Sequence, residues 1–187
     1  MVDDGGHHEV LEATRRWLER SVIGLNLCPF AARPWREERV RMRVSNATRL
    51  QQLADDLADE LMALNAAKPV DCETTLLIHP EVLGDFLDYN DFLDIADRML
   101  EELDLDGTIQ IASFHPDYRF ADTEADDPAH CTNRSPYPML HLLREASVEA
   151  ATAAHPDPDS IYERNIRKLR ELGFEGWERL VRGDGNG

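Results

Sequence analysis

Two short runs in the middle of this chain end in the same way, and this restricts the fold more than any other feature. Thr74-Thr75-Leu76-Leu77-Ile78 is closed by His79-Pro80, and Ile109-Gln110-Ile111-Ala112-Ser113-Phe114 is closed by His115-Pro116. Short, largely apolar runs suit buried strands, and proline stops them because it has no N–H to give to the ladder. Between them Phe86, Tyr89, Phe92, Leu93, Ala96, Leu100 and Leu103 recur at helical spacing. Upstream, residues Glu38 to Val44 alternate polar with apolar, as in a strand with one wet face near a sheet edge. Asn46 then reads as the cap of a helix carrying Leu50, Leu53, Ala54, Leu57, Leu61 and Leu64 on one stripe. Strand, helix, strand, helix, strand predicts a parallel or mostly parallel sheet with right-handed crossovers.

The flanks add helices. Val10, Leu11, Thr14, Trp17, Leu18 and Val22 predict an amphipathic helix over about Glu9–Ile23, with Gly24 and Asn26 letting the chain turn away. Residues 116–135 have no periodicity and read as a long loop. Ser135-Pro136 reads as cap and first residue of a fourth helix, and Asp159-Ser160 as the start of a fifth that stops at Gly173. The expected architecture is α/β: a small single-domain sandwich, with a mostly parallel or mixed sheet of at least three strands, helices packed on it and extra terminal helices. It spans 1–187 with an ordered core of about 9–181, the ends Met1–His8 and Arg182–Gly187 being expected to fray. A further strand in 27–38 or 116–132 stays open.

With 20 Lys and Arg against 37 Asp and Glu, the chain carries a formal charge of −17. That excess repels polyphosphate backbones and anionic membranes, which disfavours general nucleic-acid binding. No run of about 20 apolar residues predicts a membrane span. Three cysteines, Cys28, Cys72 and Cys131, without paired spacing predict a reducing compartment, and with no export signal the expected location is the cytoplasm.

Chemistry is expected first where the strands end. His79-Pro80-Glu81 and His115-Pro116-Asp117 would place two imidazoles and a carboxylate at one sheet edge, able to bind a metal or divide acid and base roles; the plainer reading is that each histidine caps a backbone carbonyl. The densest polar segment is Thr132-Asn133-Arg134-Ser135-Pro136-Tyr137-Pro138-Met139-Leu140-His141-Leu142-Leu143-Arg144-Glu145. On the expected fourth helix, His141 lies one turn from Arg144 and Glu145, while Asn133, Arg134 and Ser135 surround the helix start as an anion site. Cys28, just before Pro29, could feel helix N-terminal N–H groups and become partly thiolate; a buried inert thiol is the plainer outcome. His79, His115, His130, Cys131, His141 and Cys28 are enough donors for zinc or iron, but no CxxC, HxxxH or HExxH spacing selects them. A divalent metal stays open without being favoured, and no metal ligand is assigned.

Asn26-Leu27-Cys28-Pro29-Phe30-Ala31, Ser113-Phe114-His115-Pro116-Asp117-Tyr118-Arg119-Phe120 and the Thr132–Glu145 segment together resemble the bacterial family called domain of unknown function 1415, over about Glu9 to Leu172. The resemblance implies one domain and no particular activity. From the residues, the leading expectation is an enzyme of hydrolysis or group transfer acting on a small carboxylated or phosphorylated metabolite. Arg134 and Arg144 would hold the anion, with Asn133, Ser135 and His79 beside it. His115 or His141 would move a proton, oriented by Asp117 or Glu145, and Cys28 is a secondary nucleophile. The alternative is a noncatalytic anion- or metal-binding regulatory protein, and third comes an interaction surface on the Arg face of residues 33–43.

Overall fold

The computed structural model describes residues 4–158 and 160–183. Of the ends expected to fray, Met1–Asp3 and Asp184–Gly187 lie outside the described residues, as does Asp159, the expected cap of the last helix. The described elements are six α-helices and four strands: α1 (Asp4–Trp17), α2 (Ala32–Arg36), β1 (Val40–Val44), α3 (Leu50–Ala66), β2 (Thr74–Ile78), α4 (Phe86–Glu102), β3 (Ile109–Phe114), β4 (Met139–Arg144), α5 (Glu145–Ala154) and α6 (Ser160–Arg182). A π-helical stretch, Leu18–Ile23, extends α1, and a 3-10 turn, Pro128–Thr132, sits inside the long loop.

The sheet is mixed, in the order β1-β2-β4-β3. β1 runs parallel to β2, pairing Val40 with Thr74 through to Val44 with Ile78. β4 runs antiparallel to both β2 and β3, and Met139 sits opposite Ile78 on one side and Phe114 on the other. β2 and β3 therefore point the same way, with β4 between them. The strand missing from the sequence reading lies in neither 27–38 nor 116–132. It replaces the fourth helix expected from Ser135-Pro136.

Two apolar layers enclose this sheet. One packs Leu53, Leu57, Leu61 and Leu64 of α3 and Tyr89, Phe92 and Ala96 of α4 against Leu77, Leu140, Leu142 and Ile109. These four leucines are at most 1% exposed, and each such burial stabilises by about 1.5–3 kcal/mol, whereas Leu50, expected on the same stripe, is 47% exposed at the start of α3. The other joins Val10, Trp17 and Val22 to Leu169 and Trp177 of α6 over Val44, Leu76, Ile78 and Met139. Wet positions of β1 behave as the alternation predicts: Arg41 and Arg43 both reach Glu60 of α3.

Several boundaries differ from expectation for local reasons. Helix α1 begins at Asp4, so His7 and His8 are helical, and His7 pairs with the Asn46 side chain at 2.6 Å. Asn46 is therefore not the cap of α3, whose N-cap position is Arg49. Asp85 caps α4, its Oδ1 accepting from the N–H groups of Leu87 at 2.8 Å and Asp88 at 3.3 Å. In α6 the backbone breaks at Gly173, whose φ of 70 favours glycine, and the chain resumes a helix beyond the expected stop. Among the described residues no helix is long and apolar enough to cross a membrane. Cys28, Cys72 and Cys131 are free thiols.

Candidate functional site

His79 and His115 do emerge at one edge of the sheet, because β2 and β3 are parallel and both end beside the start of β4. The N–H of His79 donates to Pro138 O and that of His115 to Asn133 O, so each histidine pins the segment entering β4. Both rings are wholly buried, and the Tyr89 ring lies near both, with centroids 5.9 Å from His79 and 5.0 Å from His115. The Tyr89 hydroxyl donates to Met139 O at 2.9 Å and accepts from the Phe114 N–H at 3.0 Å.

Hydrogen bonds fix the protonation of these imidazoles. Nδ1 of His115 accepts from the Asp117 N–H at 3.0 Å, so Nε2 carries the proton and donates to Leu83 O at 3.1 Å. His79 uses Nδ1 as the donor to Val82 O at 3.0 Å, which leaves Nε2 as a buried, unpartnered lone pair. Burial pushes the pKa of His79 down to about 4. It also lowers that of His115, opposed by the Leu83 carbonyl and then by the charges of Asp117 and Asp85. Together the two histidines clamp consecutive carbonyls of one turn, Val82 and Leu83, where Leu83 has φ 59. This is the plainer reading of the His-Pro pairs, realised twice on the same turn.

The clamped turn leads into a cleft of about 630 Å³ at the carboxyl ends of β2 and β3. One wall carries Asp85, Phe86, Leu87 and Asn90 from the start of α4; the other carries Asp117, Arg119, Phe120 and Thr123 from the loop after β3. Phe86 packs against the rings of His115 at 5.5 Å and Tyr118 at 5.2 Å. Asp117, Arg119 and Asn90 are exposed, and their side chains make no hydrogen bond or ion pair with the described residues. Of the site and donor candidates named from the sequence, Asp117 and His130 line this cleft. Asp85 stood directly before an apolar-periodic run, a readable cap signal, and Arg119 is the sole cation between residues 101 and 127. Phe86 was legible only as part of the apolar stripe of α4 and Phe120 only as part of the Ser113–Phe120 motif, neither as a cleft residue, and Asn90 had no signal beyond ordinary composition.

The cluster expected on a fourth helix is dispersed, since a strand sends alternate side chains to opposite faces. His141 faces the layer of Phe114, at a ring distance of 6.1 Å, whereas Arg144 points towards α3. Arg144 Nη2 donates to the carbonyls of Leu64 and Ala67, each at 2.7 Å, and Cys72 at 3.1 Å, closing the C-terminal end of α3. Glu145 starts α5, its N–H donating to Thr108 O. Arg144 ends β4 while Arg134 lies in the segment before the strand begins, so the two cannot grip one small anion. Arg134 instead lies over the Phe174 ring at 4.7 Å, its Nε donating to Tyr118 O at 3.4 Å. Asn133 Nδ2 donates to Ser113 O and Ser135 Oγ to Tyr137 O; neither starts a helix.

His141 keeps one nitrogen available. Thr74 Oγ1 donates its proton to Leu142 O at 2.6 Å, so it can only accept from His141 Nε2, at 2.6 Å. Nδ1 is then an unprotonated lone pair without a partner among the described residues, and burial lowers the ring's pKa to about 4. Cys28 departs from the thiolate expectation: burial pushes its thiol pKa up, against the N–H groups of Phe30 and Ala31. Cys131 is pushed up to about 12, chiefly by burial. His130 is also spent on structure, accepting from the Phe120 N–H and contacting Glu124 O. Among the described residues no group of three or more His, Cys, Asp or Glu is placed to hold a metal ion.

No curated protein and no solved structure matches the sequence. A family model does, over residues 9–179, and its description is a protein of unknown function, DUF1415. That match takes in the sheet, both apolar layers and every residue of the cleft, so the chain belongs to the DUF1415 family.

Proposed function

We propose that this protein binds a small carboxylated or phosphorylated metabolite in the cleft between the start of α4 and the loop after β3. The observation that carries this reading is a set of charged groups without hydrogen-bond or ion-pair partners among the described residues, Asp117 and Arg119, on walls anchored by buried imidazoles. Arg119 supplies the anion contact, and its fork suits a carboxylate or a phosphate. The position agrees with the general placement of ligands beyond the carboxyl ends of strands in open α/β sheets. A cytoplasmic, reducing setting suits a chain with three free thiols and this acidity.

Ligand binding or regulation is the favoured class, because both nitrogens of His115 are already committed. One observation favours a catalytic reading, hydrolysis or group transfer at a separate place: the free Nδ1 of His141, whose tautomer Thr74 sets. A thermal-shift screen of phosphorylated and carboxylated metabolites tests the binding reading. We expect a hit that stabilises the chain and is lost in Arg119→Ala. A hit that Arg119→Ala leaves intact, or no hit at all, overturns this reading.

A further inference from the structure

Besides Arg119, the cleft holds two carboxylates, and they are held in place. The Asp117 main chain is tied to His115 Nδ1 at 3.0 Å, and Asp85 is tied by its own Oδ1 to the Leu87 N–H at 2.8 Å. Asp85 lines the α4 wall of the cleft and Asp117 the loop wall, and the charge of each acts on the same His115 ring. The second oxygen of Asp85 and both oxygens of Asp117 have no donor among the described residues. A ligand that is only an anion would meet these two charges, inside a chain of charge −17, with a single guanidinium to offset them. A ligand that is only a cation would leave Arg119 unanswered.

Resting on the cleft reading above, we infer that the ligand is a zwitterion, an α-amino acid or a compound with the same ammonium and carboxylate pair. Its ammonium lies between Asp85 and Asp117, and its carboxylate lies on Arg119. Asn90 adds a polar side chain on the α4 wall, and Phe86, Leu87 and Phe120 offer apolar surface to an uncharged side chain. The mixed charge also distinguishes this from a divalent-cation site, which a nearby guanidinium opposes.

The test is a thermal-shift and calorimetric comparison on the full chain at pH 7. The probes are the free protein-forming α-amino acids, their N-acetyl derivatives, the amines lacking the carboxylate, and magnesium and calcium chloride alone. At least one free amino acid should bind about tenfold or more tightly than both its N-acetyl and its decarboxylated counterpart, because a site built for a polar group rejects the analogue without it. The double variant Asp85→Asn, Asp117→Asn should remove the preference over the N-acetyl form. Asparagine still caps a helix, so α4 keeps its start. Arg119→Ala should remove the preference over the amine. Equal binding of free and N-acetylated acids, or protection by magnesium or calcium alone, overturns the inference. If no zwitterion binds while a plain carboxylate or phosphate still protects through Arg119, the zwitterion fails and the cleft reading stands. If nothing in either series protects, both fail.

Discussion

The two ends of β4 carry similar residues and use them in opposite ways. At the Arg144 end a guanidinium is spent on three carbonyls, sealing α3 where its last turn has no further residues to bond. At the end near Met139, buried imidazoles take over the backbone satisfaction, which leaves Asp117 and Arg119 facing an open cleft. The difference teaches that a charged residue in this fold is a ligand candidate only where something else has already met the needs of the surrounding backbone.

Removing the structural groups should have the largest effects. Arg144→Ala should lower unfolding free energy by about 3 kcal/mol, through carbonyls left without their charged donor, and leave ligand binding at the cleft unchanged in folded protein. Urea titration and calorimetry measure the two; loss of binding without loss of stability would break the contrast between the ends.

The His79 clamp predicts an acid-sensitive stability. Its folded pKa of about 4 lies below the ordinary 6.5, so on acidification the unfolded chain takes up the proton first. The contribution is present in full above pH 6.5 and is lost as pH falls towards 4, by about 3 kcal/mol at most. Urea midpoints at pH 7 and pH 5 should separate in the native chain. They should separate less in His79→Asn, whose amide keeps the donor to Val82 O and does not titrate. Equal separation in both chains would show that other groups dominate.

Tyr89→Phe should cost about 1–3 kcal/mol, since it leaves the buried Phe114 N–H and Met139 carbonyl without the hydroxyl. Arg119→Ala should change stability by less than about 0.5 kcal/mol, as an exposed side chain without a hydrogen-bond or ion-pair partner among the described residues, yet abolish ligand-induced stabilisation. The smallest effect is expected at Cys28, where alkylation by iodoacetamide at pH 7 should be slower than for an unfolded cysteine, because burial keeps the thiol protonated. Faster alkylation would restore it as a candidate nucleophile.

How much of this was legible follows from the period of each segment. β2 and β3 begin and end where apolar runs meet His-Pro, and α3 and α4 follow their leucine and aromatic stripes. The Met139–Arg144 run was not legible, because Met-Leu-His-Leu-Leu-Arg satisfies a buried strand as well as a turn of amphipathic helix. Reading it as helix placed His141, Arg144 and Glu145 together, and the strand separates them. The cleft was hidden for a different reason: its walls are 30 or so residues apart, and Asp85 and Arg119 acquire meaning only beside Asp117.

By itself, the sequence determined the α/β alternation, the net charge of −17, and the sheet edge where two histidines emerge, since hydrophobic period, net charge and proline act locally or in sum. Tertiary structure alone decided that β4 separates β2 from β3, that Arg144 closes a helix, and which imidazole nitrogens are free. Each of these depends on which backbone groups lie opposite a side chain, and that is set by strand pairing rather than by neighbours in the chain.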